Sequence, residues 1–242
     1  MIKVYARALR TFAANFMLFF ALSVVMALLK LFLDSSSTNG ASLVFYTLVA
    51  LFCHRLLLTE ERTTKADIFP GRKDGPLAGR LWPFCWRMGL FWLFAACVWG
   101  FFFYLIFGLL PEVDKGSVFG AGMLALVPAA LVFYVVAALV GTVLPAAAME
   151  GDMSITTAFR RGRGSFWKTI WRLIAGNGLF SIVSLVALIA LASHIPVNAG
   201  PVIGTALGIL GEVSGMFTIM LTAAALCLAY ETSAPVPEAA DA

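Results

Sequence analysis

The sequence predicts an all-α, polytopic membrane protein of six transmembrane helices, arranged as three hairpins with short cytoplasmic interfacial helices. Three observations carry this. Of the 242 residues, 61% are hydrophobic and only 12% are charged, against roughly 25% charged in a soluble domain. Mean hydropathy is +0.94. Several apolar runs also reach the ~20 residues that a helix needs to cross ~30 Å of hydrocarbon.

The first helix is expected over 12–33, after a tail with Lys3, Arg7 and Arg10. Basic residues before an apolar run resemble a signal peptide. This run is too long for a typical signal core and no small-residue cleavage site stands out, so it reads as an uncleaved anchor. DSSSTNG closes it, and the second helix follows over 40–58. Arg62, Lys65, Arg72, Lys73 and Arg80 fill the next connection, with Arg55 and Arg87 at its edges. The third and fourth helices, 86–110 and 119–147, are separated by PEVDKGS. Arg160, Arg161, Arg163, Lys168 and Arg172 occupy the fourth connection. SHIPVNAGP separates the last two helices, 171–193 and 203–230. Clusters of Pro, Gly, Ser and Asn are turn chemistry. Residues 1–232 are expected to form a single membrane domain, and 233–242 a flexible cytoplasmic tail.

Only Lys30 and Lys115 fall on the opposite side from the other basic residues. The positive-inside rule then puts both termini in the cytoplasm. The same rule accounts for the pI of 9.0. No basic stretch carries a nucleic-acid motif, so no nucleic-acid partner is expected. The four cysteines, Cys53, Cys85, Cys97 and Cys227, form no CxxC and read as free thiols.

The even helices end alike. Each meets an acid on leaving the membrane: Glu60, Glu150 and Glu231. Phe69 and Phe159 each follow the first two acids, and basic Gly-containing runs come next. The odd helices begin with a basic residue before aromatics, as at Arg10, Arg80 and Arg163. Either three hairpins share one ancestral form, or every cytoplasmic interface looks like this.

In SITTAFRRGRGSFW, Ile155, Ala158 and Phe159 share one helical face. Gly162 and Gly164 should weaken the helix, and Ser165 can cap the next one. Arg160, Arg161, Arg163 and Lys168 are candidate contacts to anionic lipid headgroups. The plainer alternative is that they only set topology.

Leu144-Pro145, Glu150, Ala158-Phe159-Arg160, then Gly164, Phe166 and Trp167, with Ala229-Tyr230-Glu231 at the close, form a loose pattern. On it, the C-terminal half resembles the YciC-like group of bacterial inner-membrane proteins. That group is similar to the membrane domain fused to some glycerophosphodiester phosphodiesterases. The resemblance implies about six helices and a membrane location, and very little chemistry. The chain departs from the group's pattern at Arg161 and Gly162, where a polar residue is usual, and at Glu231-Thr232-Ser233, where the group is more basic.

A search for chemistry yields little. His54 and His194 are placed at opposite faces, so they share no metal. There is no GxSxG. DGPLAGR, residues 74–80, is similar to the opening of membrane phosphotransferases that use CDP-alcohols. No Asp or Glu follows at the positions that would hold divalent metal, so it reads as a turn. No catalytic residues, metal or cofactor are therefore expected. The function expected is a non-enzymatic accessory or structural role in a membrane complex or envelope homeostasis. The alternative is a small transporter or lipid-handling protein. Membrane lipids, and other membrane proteins, are the expected partners.

One intramembrane polar site stands out. Gly204, Gly208, Gly211 and Gly215 share a helical face, as a close helix–helix contact would require. Glu212 flanks that face. Lys30 and His194 are its candidate partners, since both fall towards the same side. Asn177, between two glycines, is a further candidate for a bond across helices.

Overall fold

The computed structural model describes residues 2–32, 35–59, 81–109, 115–149, 151–195 and 201–233. Regular structure among them is entirely helical: α1 (Ile2–Ala14), α2 (Phe16–Phe32), α3 (Ser35–Thr59), α4 (Leu81–Phe107), α5 (Lys115–Val140), α6 (Val143–Ala148), α7 (Ile155–Leu173), a π-helical turn (Ile174–Gly178), α8 (Leu179–Ser193) and α9 (Pro201–Ser233). Five helices are long and apolar enough to cross a membrane, and the bent pair α1–α2 can supply a sixth crossing. The chain is a multi-pass helical membrane protein.

α9 is the hub: α1, α2, α3, α6, α7 and α8 all pack on it. Its second half supplies Met216, Met220, Leu221, Ala223, Ala224 and Cys227 to one core, with Ala225 and Leu226 in a second. Small side chains allow that many neighbours to approach one helix. α4 and α5 pair closely with each other, and α5 leans on α7. α8 has no buried residue. Its Ile182, Val183, Val186 and Ile189 are exposed, as a face immersed in lipid requires.

Three expected boundaries are corrected. The first apolar run is not one helix from residue 12. α1 and α2 meet at Asn15 with a 78° bend. α1 is amphipathic, burying Val4, Ala8 and Phe12 at the i, i+4 spacing of one face. That face lies against α9 and α3, while α2 carries the apolar run on from Phe16.

The fourth helix does not run to 147. α5 stops at Val140, and α6 restarts after Gly141 and Thr142. Pro145 has no N–H to continue the ladder. Gly141 is pressed against α9: a Cβ there would lie 2.8 Å from Leu226 Cδ2.

The fifth helix does not begin at 171. α7, the π turn and α8 form one continuous rod from Ile155 to Ser193. Gly162 does not loosen it. A Cβ on Gly162 would meet the Leu139 carbonyl oxygen at 2.0 Å, so glycine is what lets α7 touch the α5 backbone. Ser165 does not cap a new helix; its hydroxyl donates to the Arg161 carbonyl oxygen at 3.2 Å, one turn back. At ~1.5 Å per residue the π turn and α8 span ~30 Å, enough for the crossing. α7 is therefore the part that projects beyond it.

A π turn leaves carbonyls poorly served by the helix itself. Tyr5 of α1 meets them: its hydroxyl donates towards Ala175 O at 2.8 Å and Gly176 O at 3.0 Å. Arg7 extends the clamp. Its guanidinium makes paired bonds of 2.6 and 2.7 Å to Glu231 at the end of α9 and a third to the Leu57 carbonyl. Glu60, Glu150, Phe69 and residues 234–242 lie outside the described residues, as does the expected interfacial helix before α4.

Candidate functional site

Glu212 lies on the first half of α9 and is 6% exposed. Lys30, near the end of α2, forms an ion pair with its Oε1. Tyr46 of α3 donates its hydroxyl to Oε2 at 2.6 Å. The ammonium also stands 6.0 Å from the Tyr46 ring centre, within cation–π range. One carboxylate thus ties α2, α3 and α9 together with both oxygens engaged. Such a pair answers the cost of burying an acid, because charge and lone pairs are both met.

His194 does not join this group. It is exposed, and its Nδ1 lies 2.7 Å from the Ala190 carbonyl oxygen. The ring turns back on its own helix end instead of reaching α9. Tyr46 was not singled out in the sequence, because a tyrosine inside an apolar run carries no signal until the opposite helix is known.

The expected helix–helix contact at the glycine face is not made by the described residues. A Cβ added at Gly204, Gly208, Gly211 or Gly215 would meet nothing within 4 Å. Glu212, one residue round the helix, points to the inside, which leaves the glycines turned outward.

Asn177 sits in the π turn and bonds in three directions. Its Nδ2 donates to Thr222 Oγ1 on α9. Its Oδ1 accepts from Tyr134 of α5 at 3.1 Å and from Ser181 at 3.1 Å. His54 is buried on α3, with Nδ1 3.3 Å from Cys227 Sγ.

The third group lies where α7 passes the end of α9, at the end of the bundle that carries α1. A cavity of about 710 Å³ is lined by Arg160, Arg161, Lys168 and Arg172 of α7, with Thr232 of α9 and Asp152 at its edge. Helical spacing explains the convergence. Positions 161, 168 and 172 are separated by 7 and 4, so they share a face. Arg172 was counted among the basic residues of its connection but not as a headgroup contact, although that spacing marks it. Arg163 is exposed and does not line the cavity.

Arg161 is only 9% exposed. Its Nη1 donates to the Asp152 carbonyl oxygen at 3.1 Å, and its guanidinium stands 5.1 Å from the centre of the Tyr230 ring. Its Nε, and Nη1 of Arg172, are buried without a hydrogen-bond partner among the described residues. Asp152 is already hydrogen-bonded at the start of α7. Bonds from the Thr157 side chain and the Ser154 N–H hold its carboxyl below the ordinary carboxylate range, with Arg161 and Arg160 adding to the effect. Among the described residues, four cations thus face one acid that is already engaged by the start of α7. An anionic oxygen ligand is what such a set can bind.

Comparison with known proteins gives no match: no family model, no curated protein and no solved structure matches the chain.

Proposed function

We propose that this chain is a non-enzymatic, multi-pass protein of the bacterial inner membrane that holds the phosphate of an anionic phospholipid at its basic, cytoplasmic end. The observation that carries the reading is the α7–α9 cavity, where two guanidinium groups keep buried N–H donors unfilled. Guanidinium favours phosphate because its N–H groups match the oxygens in geometry as well as charge. The lining groups approach from a helix whose outer side carries exposed Trp167 and Trp171, the residues that favour a headgroup layer. The excess of basic residues at this end supports a cytoplasmic orientation. Glu212, bonded to both Lys30 and Tyr46, fits a structural acid better than a proton- or solute-linked site.

Membership of the YciC-like group is part of the proposal. It draws support from where the resembling residues meet. Leu144 and Pro145 of α6, Ala158 of α7 and Ala229 of α9 are all buried, and Tyr230 stacks under Arg161. A second reading, an accessory subunit of a membrane complex, is favoured by the outward glycine face at Gly204, Gly208, Gly211 and Gly215. Such a face suits close approach by another helix.

The test is native mass spectrometry of the purified chain with phosphatidylglycerol, phosphatidylcholine or inorganic phosphate. Retention of phosphatidylglycerol over phosphatidylcholine is expected, with free phosphate competing weakly. Equal retention of the two lipids would refute headgroup binding. Full competition by phosphate would point to a soluble anion instead. Stoichiometric recovery of a large complex after mild extraction would favour the accessory reading.

A further inference from the structure

A second cavity shares no lining residue with the basic one on α7. It is lined mainly by α3, α4, α5 and α9, opens to the outside of the bundle past Leu43, Trp99 and Leu126, and holds about 550 Å³ of space. That is within the ~300–1,000 Å³ usual for small-molecule sites. Among the described residues its walls contain no Lys, Arg, Asp or Glu. Trp92 and Trp99 of α4 face Phe133 and Tyr134 of α5, with Met88 beside them.

The polar groups on its walls are mostly committed to one another. Tyr134 donates to Asn177, Asn177 to Thr222, and Thr222 to the Thr218 carbonyl. Trp99 donates to the Gly122 carbonyl oxygen at 3.2 Å. Trp92 is the exception. Its indole N–H is buried with no acceptor among the described residues. Buried indole N–H groups ordinarily find a partner.

We propose that this cavity is a binding site for an uncharged, largely apolar ligand bearing a carbonyl oxygen, in the chemical class of an aromatic ketone or quinone. The absence of charged side chains on the walls excludes an ionic ligand at this depth, where an unpaired charge would not be tolerated. The aromatic and methionine walls suit a planar ring, by stacking and by sulfur–ring contact. The carbonyl answers the unfilled donor of Trp92, which a bare alkyl chain would leave unmet.

The test uses the full chain in nanodiscs and 4-dodecylbenzophenone, an uncharged aromatic ketone that crosslinks on illumination. Attachment sites are mapped by mass spectrometry. Saturable labelling of the α4–α5 wall, Met88 above all, is expected. Decylubiquinone should displace the probe, and dodecylbenzene, which has the ring and chain but no carbonyl, should be about fivefold weaker. Trp92→Phe should remove that difference while leaving the fold intact. Ala95→Phe should reduce labelling about tenfold by filling the space. Unsaturable labelling spread over the lipid face of α8 would overturn the proposal. So would equal displacement by the two competitors, or a preference for the carbonyl that survives in Trp92→Phe. The two cavities share no lining residue, so this site and the headgroup site fail separately.

Discussion

The two halves of α9 behave oppositely. From Met216 to Ala229 the helix is buried on nearly every side, and six other helices press on α9. From Val202 to Gly211 it is largely open, and its glycines touch nothing within 4 Å. Glu212 marks the change, and from Val202 onwards it is the first residue to be buried. The close glycine contact is made elsewhere, by Gly162 against Leu139 and by Gly141 against Leu226. Small residues permit a close approach but do not say that one occurs. What decides is whether the chain has a helix left to supply.

The sharpest way to break this contrast is to put the same methyl group in both places. Gly162→Ala forces a Cβ into the α5 backbone, and overpacking of this kind costs about 1–3 kcal/mol. Gly208→Ala adds a methyl in open space and should be neutral or stabilising by about 0.5–1 kcal/mol. Thermal unfolding in detergent reads both. A matched loss in the two variants would mean that the outward face of α9 is packed after all.

Next in size is the junction itself. Glu212→Leu leaves Lys30 and Tyr46 without their shared acceptor. Removing one partner of a buried pair costs ~3–5 kcal/mol, and the 41% exposure of the Lys30 side chain reduces this to about 1–3 kcal/mol. Glu212→Gln keeps a hydrogen-bonding oxygen and should be tolerated better. Equal thermal stability of the two variants would show that Glu212 does not hold α2 and α3 on α9.

A smaller effect is expected where α1 docks on the π turn. Tyr5→Phe removes one hydroxyl that serves Ala175 and Gly176 and should cost about 1 kcal/mol. Hydrogen exchange should quicken around residues 174–180 and not in the first half of α9. Uniform quickening would argue that the clamp is global.

The smallest effect is a pH dependence at the start of α7. Asp152 titrates below its unfolded value because Thr157 and the Ser154 N–H favour its charged form. Its contribution is therefore complete above about pH 4, the unfolded range, and is lost as pH falls through the lowered value. Amide protection at residues 154–158, taken relative to the intrinsic exchange rate at each pH, should fall on acidification through that window, and Asp152→Asn should abolish the dependence.

Much of this architecture was legible in composition and period, and the misses share a cause. The apolar runs marked the crossings, and charge side alone paired Lys30 with Glu212. The same reasoning offered His194 equally, because a sequence cannot show that its ring folds back on Ala190. The bend at Asn15 was hidden because apolar residues continue through it, first on one face of α1 and then all round α2. Gly162 and Gly164 looked like a break in α7. Helix-weakening is a local tendency, however, and the contact with Leu139 is a tertiary one that overrides it. Arg172 was in view by spacing; the cavity that gives it a role exists only once Thr232 of α9 arrives opposite.

The central claim is that buried guanidinium groups, not exposed charge, hold the headgroup. It is tested most directly by phosphatidylglycerol affinity at ~1 M salt, where the Debye length is only ~3 Å and exposed charges are screened. Two double variants are compared: Arg161→Gln with Arg172→Gln, and Arg10→Gln with Arg163→Gln, both exposed and outside the cavity. Hydrogen bonds to charged groups contribute about 1.5–3 kcal/mol each, so the first pair should lower affinity by tenfold or more. Arg172→Gln alone should show part of the loss if the double variant is unstable. The second pair should change affinity by less than about threefold. Equal losses in the two pairs, or no loss in the first, would contradict the account.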